Sequence, residues 1–272
     1  MNHPPKHRPG EAPAEPSGRA TKPKVVMLHG AFCGPWAMAG LKQKFTDAGY
    51  GVTTPCLRFH DTASPPAALG ITGVADYAAD LEDEIAALDT PPILVGHSMG
   101  GLLAQILASR KPAAALILLA PSPPWGVAPA TLGEISAAQA MFLHPGFWTQ
   151  VLEPNRDIAF SQSLNCLPRD LRGAVFESFG KESGRAMHEI MHWALDMQRA
   201  TEVQADAVRC PILLVTGSED RVNSPGTVAR IAALYGERAT NEVLTGTGHW
   251  LIGEPGWEKL AQRALGWLDE KL

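Results

Sequence analysis

The sequence has little of what marks membrane, disulfide-linked or nucleic-acid-binding proteins. Its 272 residues contain no run of roughly 18 consecutive apolar residues, so we expect no stable membrane insertion. The net charge of −5 leaves no overall basic field that would attract nucleic acid. The four cysteines form no C-x-x-C pair, which argues against a disulfide framework or a zinc knuckle. We therefore predict reduced thiols and a cytoplasmic location.

The first 24 residues differ in composition from the rest of the chain. Residues 1–24 are rich in Pro, Gly and charge and carry a net charge of +3, against −8 for the remainder. They cannot bury enough apolar surface to order themselves, and they lack the apolar region of a secretory signal. The sequence predicts a disordered polar tail over 1–24.

Beyond the tail, short β-rich runs alternate with helical stretches. The runs are apolar on both sides of the pleat, as strands between two helical layers must be. The alternation predicts an α/β fold, a mostly parallel, doubly wound sheet of about six strands. The predicted strands are 24–28, 51–57, 92–95, 115–120, 211–216 and 242–244.

One long stretch interrupts this alternation. About 90 residues separate the fourth and fifth predicted strands, far more than one crossover helix needs. They predict a helical cap over 122–204, inserted into a core formed by 25–121 and 205–272. Its aromatic and Met residues either form a small core of its own or line an apolar pocket. Helices are expected at 131–143, 145–153, 168–180 and 184–200.

A glycine-flanked serine follows the third predicted strand. Residues 96–100 read G-H-S-M-G, a G-x-S-x-G pattern, and the apolar helix L-L-A-Q-I-L-A-S comes next. Glycines at 96 and 100 allow a turn sharp enough to project the Ser98 hydroxyl. The following helix points its N-terminal N–H groups at developing negative charge. A phosphate-binding turn is the alternative interpretation.

With this motif in place, the chain resembles the α/β-hydrolase superfamily, of the lidded serine esterase or lipase type, over residues 24–272. Many relatives have a hairpin before the first strand, and here only the polar tail precedes it. The family order of nucleophile, acid and histidine implies that Asp220 orients His249 and that His249 accepts the proton of Ser98. Glu219 is the neighbouring alternative to Asp220.

The resemblance also implies an oxyanion hole and a pocket. The two N–H donors would belong to Met99, directly after the nucleophile, and to Ala31 in the H-G-A-F loop. Phe32 is the alternative second donor. Apolar pocket walls are expected near Phe32, Trp125 and Trp250. His29 is expected to order its loop.

A competing motif lies inside the predicted cap. His188–Glu189–Ile190–Met191–His192 matches the H-E-x-x-H pattern of zinc peptidases. The extended pattern fails at Leu195 and Gln198, so no third ligand is evident. We expect ordinary helix residues here and predict neither a metal nor a cofactor.

The sequence thus predicts a serine hydrolase that cleaves small lipophilic esters through an acyl-enzyme. A related thioesterase, amidase, C–C bond hydrolase, perhydrolase or acyltransferase would use the same residues. A receptor that binds a small ligand without turnover is the alternative from outside enzymology. The sequence leaves the oligomeric state and the acyl and alcohol groups open.

Overall fold

A computed structural model describes residues 22–141 and 145–272, so the predicted tail lies almost wholly outside the described residues. The strands and helices follow in chain order. The strands are β1 (Val25–Leu28), β2 (Val52–Thr53), β3 (Ile93–His97), β4 (Ala115–Leu119), β5 (Val151–Leu152), β6 (Glu182–Ser183), β7 (Ile212–Gly217) and β8 (Ala239–Leu244). The helices are α1 (Ala39–Asp47), α2 (Val74–Ala86), α3 (Met99–Arg110), α4 (Leu132–Met141), α5 (Arg156–Ile158), α6 (Arg169–Glu177), α7 (Gly184–Met191), α8 (Pro225–Ala233) and α9 (Trp257–Lys271).

Six strands form one parallel sheet in the order β2-β1-β3-β4-β7-β8. This confirms the predicted α/β class and the six-stranded parallel sheet. The strand order reverses between β1 and β3, where the chain turns from building one half of the sheet to building the other. Ligands of open α/β sheets bind outside the carboxyl ends of the strands at such a switch point. A functional site is therefore expected at the loops after β1 and β3.

Alternate residues of each strand pack on opposite faces of the sheet. Val26 and Leu28 of β1 join a core layer with residues of α2, α3 and α8. Val25 and Met27 of the same strand join a second layer with residues of α1 and α9. A strand buried on both faces must be apolar throughout, which is why these runs do not alternate with polar residues.

The stretch between β4 and β7 contains α4 to α7 and a small antiparallel sheet in which β5 pairs with β6. Here we call residues 122–204 the cap segment. The helix predicted over 145–153 is wrong: Phe147–Thr149 form a 3-10 turn, and β5 follows. Backbone pairing of Val151 with Ser183 overrides the local helical pattern. The sequence analysis did not predict this sheet.

Two further boundaries differ from prediction. The strand expected over 51–57 shortens to β2, because Pro55 has no N–H with which to extend the ladder. The helix expected over 184–200 ends at Met191, and Arg199 further on adopts a left-handed backbone with φ 52°. Among the described residues, no helix has the length and apolar character needed to cross a membrane.

Candidate active site

Ser98 lies on a tight turn between β3 and α3, at the carboxyl edge of the sheet. Its φ is 54°, in the left-handed region that non-glycine residues rarely adopt. A Cβ at position 96 would collide with the Gly100 carbonyl, and one at position 100 would collide with the Leu28 carbonyl. Glycine at both positions therefore permits the turn that the G-x-S-x-G pattern predicts.

The structure brings Ser98, His249 and Asp220 together in one hydrogen-bonded chain. His249 Nε2 lies 3.0 Å from Ser98 Oγ, and His249 Nδ1 lies 2.9 Å from Asp220 Oδ2. The carboxylate can only accept from Nδ1–H, which leaves Nε2 free to accept the serine proton. All three residues are buried, between 4% and 8% exposed. This arrangement can convert the serine hydroxyl into a nucleophile.

Asp220 is held in place by its own loop. Its Oδ1 accepts the backbone N–H groups of Val222 and Asn223, each at 2.8 Å. The Asn223 amide in turn donates to the Ala120 carbonyl, at 2.9 Å, at the end of β4. Glu219, the alternative acid, is exposed. The geometry therefore places Asp220 and not Glu219 against His249.

Backbone contacts also fix the loop that carries His249. His97 Nε2 donates to the His249 carbonyl at 2.9 Å, and burial lowers the pKa of His97 to about 3, so its ring is neutral. The Gly248 N–H donates to Glu254 Oε2 at 2.7 Å. Burial raises the pKa of Glu254 above its ordinary value. Both sides of the His249 peptide backbone are thus restrained.

The two predicted N–H donors lie on the loops beside Ser98. Met99 begins α3, where the first N–H groups have no partner within the helix. A Cβ at Gly30 would lie 3.1 Å from Ser98 Cβ, so the loop that carries Ala31 packs directly on the serine. The Phe32 N–H instead donates to Glu182 Oε2 at 3.1 Å. Of the two alternatives for the second donor, the geometry favours Ala31.

His29 orders this loop as expected. Its Nδ1 donates to the Gly30 carbonyl at 3.0 Å, and its Nε2 accepts the Leu57 N–H at 3.2 Å. Burial lowers the pKa of His29 to about 4, which keeps the ring neutral and suits one donor and one acceptor.

The three predicted pocket residues have different surroundings. Trp250 is buried, with its ring 5.8 Å from Trp36 and 5.7 Å from Phe179 of the cap segment. Phe32 is half-buried beside the oxyanion loop. Trp125 packs against Trp193 at 5.3 Å, with the Arg199 guanidinium 4.2 Å above its ring. Trp250 thus adjoins the loops around Ser98, and Trp125 packs within the cap segment.

The first four residues of the H-E-x-x-H motif lie on α7, and His192 follows the end of that helix. Glu189 Oε2 accepts the N–H of Val74, the first residue of α2, at 2.8 Å, and its Oε1 accepts from Arg185 at 2.7 Å. Glu189 therefore stabilises the N-terminus of α2. In the part of the chain that the structure describes, no three His, Cys, Asp or Glu side chains are grouped so as to hold a metal ion.

Sequence reasoning missed a buried ion pair next to the oxyanion loop. His60 Nε2 lies 3.1 Å from Glu182 Oε2, and both side chains are 1% exposed or less. No local motif marks either residue, and 122 positions separate them along the chain. Because the two partners are so far apart in sequence, only the folded structure reveals the pair.

Comparison with known proteins identifies the fold that carries this site. The alpha/beta hydrolase family model matches residues 25–263, nearly the whole described chain, and the protein belongs to this family. A curated relative, the AB hydrolase superfamily protein YfhM of Bacillus subtilis (strain 168), is 34% identical over 105 residues. That match covers 35% of this chain and about a third, 34%, of the relative.

Solved structures show the same fold. A monoacylglycerol lipase of Paleococcus ferrophilus superposes with a TM-score of 0.68 at 22% identity, over 91% of this chain and 94% of that one. A thermophilic esterase of Thermogutta terrifontis superposes with a TM-score of 0.67 at 19% identity, over 92% and 90%. At these identities the likeness establishes the shared fold alone, and the chemistry must be argued from the site.

Proposed function

We propose that this protein is a serine hydrolase that cleaves carboxylic esters through an acyl-enzyme. One observation carries the proposal, the buried chain from Ser98 Oγ through the His249 ring to Asp220 Oδ2, with links of 3.0 Å and 2.9 Å. These distances lie within the range that proton transfer in a nucleophilic triad requires.

In the first half of the proposed reaction, Ser98 Oγ attacks the ester carbonyl carbon while its proton passes to His249 Nε2. Asp220 stabilises the imidazolium that forms. The carbonyl oxygen becomes an oxyanion, which the N–H groups of Met99 and Ala31 stabilise. Collapse breaks the bond to the alcohol oxygen, and His249 returns the proton to the leaving alcohol.

In the second half, His249 takes a proton from water as the water oxygen attacks the acyl carbon. The bond to Ser98 Oγ then breaks, the serine regains its proton from His249, and the carboxylic acid leaves. Neither half of the proposed reaction changes an oxidation state or consumes an external cofactor.

The residues around Ser98 favour an apolar substrate. Trp250 directly follows His249, and its ring lies 5.7 Å from Phe179 of the cap segment, whose neighbour Gly180 bonds the Phe32 carbonyl. Apolar and aromatic walls with few polar groups suit the acyl chain of a lipophilic ester. We therefore propose small to medium acyl esters of lipophilic alcohols as the substrate class.

The test is hydrolysis of p-nitrophenyl esters of increasing acyl length by wild type, Ser98→Ala and Ser109→Ala. Loss of the nucleophile should lower kcat at least ~1000-fold. Ser109 lies at the far end of the same helix and its hydroxyl donates to the Ile106 carbonyl at 2.7 Å, so its variant should keep wild-type kcat. An optimum in chain length would size the acyl pocket.

Two outcomes would overturn the proposal. Turnover that survives in Ser98→Ala would mean that another residue is the nucleophile. A wild type that turns over no ester, tested next on thioester, amide and C–C substrates, would exclude ester cleavage and leave the related hydrolases and the ligand receptor.

A further inference from the structure

The carboxylate of Glu182, in β6 of the cap segment, is fully buried and accepts four hydrogen bonds. Its Oε2 accepts from the Phe32 N–H and from His60 Nε2, both at 3.1 Å. Its Oε1 accepts from the Tyr77 hydroxyl at 2.9 Å and from the Ser183 N–H at 2.7 Å. Three of the four donors belong to the core, so one cap side chain joins the loop after β1, the loop after β2 and helix α2.

The surroundings of His60 favour the positively charged ring. Its Nδ1 lies 3.0 Å from the Arg58 carbonyl, which can only accept, and its Nε2 faces the Glu182 carboxylate. With Glu182 ionised, both nitrogens donate. Burial alone would lower the pKa of His60 and raise that of Glu182, but their mutual attraction and hydrogen bonds reverse both shifts. The result is a closed, buried ion pair.

The pair lies where the backbone is strained. Phe32 and Phe59 have φ values of 59° and 67°, in the left-handed region that costs a non-glycine residue about 1 kcal/mol or more. The Phe32 N–H bonds Glu182, and Phe59 stands between Arg58 and His60, which are bonded to each other. Strained residues persist only where their surroundings hold them, and here the ion pair does so.

Phe32 is tied to the cap segment on both sides. Its N–H bonds Glu182, and its carbonyl accepts the Gly180 N–H at 2.8 Å. The peptides on both sides of Phe32 are thereby fixed to the cap segment, next to the Gly30–Ala31 peptide that contains the Ala31 N–H. On the core side, His29 Nδ1 bonds the Gly30 carbonyl of that peptide, so the Ala31 N–H lies between a core restraint and a cap restraint.

We propose that Glu182 and His60 are positioning residues, which hold the Ala31 N–H in the oxyanion hole from the cap side. This inference rests on the proposed ester hydrolysis and deepens it. It implies that the cap segment completes the stabilisation of the transition state in addition to covering the site.

The test compares two buried cap glutamates that each accept a backbone N–H from the core. Glu182→Gln should lower kcat on the best p-nitrophenyl ester about 10-fold or more and leave KM within about twofold, because oxyanion contacts act in the transition state. Inhibition by an alkyl boronic acid, which forms a tetrahedral adduct on serine, should weaken by a similar factor. Glu182→Ala should lose more kcat than Glu182→Gln, which keeps one acceptor.

Glu189→Gln is the matched control. Glu189 is also buried and bonds the Val74 N–H, but at the N-terminus of α2, so its variant should keep wild-type kcat and boronic acid affinity. A folded Glu182→Gln with wild-type kcat, in an enzyme that Ser98→Ala inactivates, would overturn the positioning role and leave the proposed function standing.

Hydrogen exchange separates the inference from the proposed function. If wild type hydrolyses no ester, the proposed function fails, and amide exchange over residues 29–34 decides the positioning role. Exchange there should be at least about 10-fold faster in Glu182→Gln than in wild type and Glu189→Gln, and equal rates would overturn the inference. Should Glu182→Gln fail to fold, the charge-free pair Glu182→Gln with His60→Gln takes its place in the same measurements.

Discussion

Helix α3 of the core buries ten of its twelve residues, whereas helix α6 of the cap segment buries none of its nine. The core strands β1, β3, β4 and β7 are buried along their whole length, and the short cap strand β5 is only half-buried. Apolar burial stabilises the core, about 25 cal/mol for each Å² removed from water. The cap segment has far less of this contribution and needs other contacts with the core.

Buried carboxylates provide such contacts. Glu134 of α4 accepts the Ser224 N–H at 2.9 Å, at the N-terminus of α8. Glu189 of α7 does the same for α2, and Glu182 bonds His60, Tyr77 and Phe32. Charge-assisted hydrogen bonds to helix N-termini are stronger than neutral ones. The cap segment is therefore attached at defined polar points, two of them at the N-termini of core helices.

The largest effect should come from removing apolar volume from the core. Leu118 of β4 is fully buried, so Leu118→Ala should lower the free energy of unfolding by about 2–5 kcal/mol. Leu171 of α6 is 46% exposed, and Leu171→Ala should stay within about 0.5 kcal/mol of wild type. Urea denaturation measures both. Similar losses would show that the cap segment is held by apolar packing too.

A smaller loss should follow from neutralising one polar contact point. Glu134→Gln weakens the bonds to the Ser224 N–H and to Thr227 Oγ1, the latter at 2.7 Å, and should cost about 1–3 kcal/mol of unfolding free energy. Glu153 is the control, since it pairs with Lys181 at 2.7 Å but is 69% exposed. Glu153→Gln should change stability by less than about 1 kcal/mol. Thermal melting of the two variants at pH 7 checks the contrast, and equal shifts would contradict it.

The two regions also differ in how far the sequence predicts them. The core strands β1, β3, β4 and β7 are apolar runs between turn signals, and parallel strands bring their carboxyl ends to one edge. Residues as distant as Ser98, Asp220 and His249 could therefore be expected to meet, and the structure places them within hydrogen-bond distance. Their catalytic roles stay predictions until Ser98→Ala is measured.

In the cap segment no comparable rule says which residues of the sequence will meet. Its 145–153 stretch has a helical pattern but forms a 3-10 turn and β5, because pairing with β6 decides its backbone. Glu182 bonds His60, which lies 122 positions away along the chain, and Glu134 bonds Ser224, which lies 90 positions away. A single buried Glu has no local signature, so these contacts were not predictable from sequence. For the same reason, the contacts of Trp125 with Trp193 and Arg199 were not predictable from sequence.

As the pH falls, the stability contributed by neutral His29 in the core should be lost before the stability contributed by the buried carboxylate Glu134. Burial lowers the pKa of His29 from 6.5 to about 4. The stability gained by keeping this ring neutral is fully present above pH 6.5 and is lost as the pH falls towards 4. Burial opposes ionisation of Glu134, but hydrogen bonds from Ser224, Thr227 and Thr131 hold its pKa below the ordinary 4.5. Its contribution is therefore present above pH 4.5 and is lost only below it.

The smallest predicted effect is a difference in how steeply the free energy of unfolding falls with pH. It tests whether His29 titrates before the carboxylate contacts. At His29 the unfolded chain binds about half a proton more than the folded protein at pH 6.5 and about nine-tenths of a proton more at pH 5. The free energy of unfolding of wild type should then fall by about 1 kcal/mol per pH unit more steeply than that of His29→Gln, which keeps a donor and an acceptor. Glu134→Gln should run parallel to wild type over this window, and urea denaturation at pH 6.5, 6 and 5 measures all three. His60, whose raised pKa gives it the opposite sign, is present in every variant and cancels from the comparison. The opposite result would be a free energy of unfolding that falls with pH as steeply in His29→Gln as in wild type, and less steeply in Glu134→Gln. That result would mean that the carboxylate contacts of the cap segment titrate first.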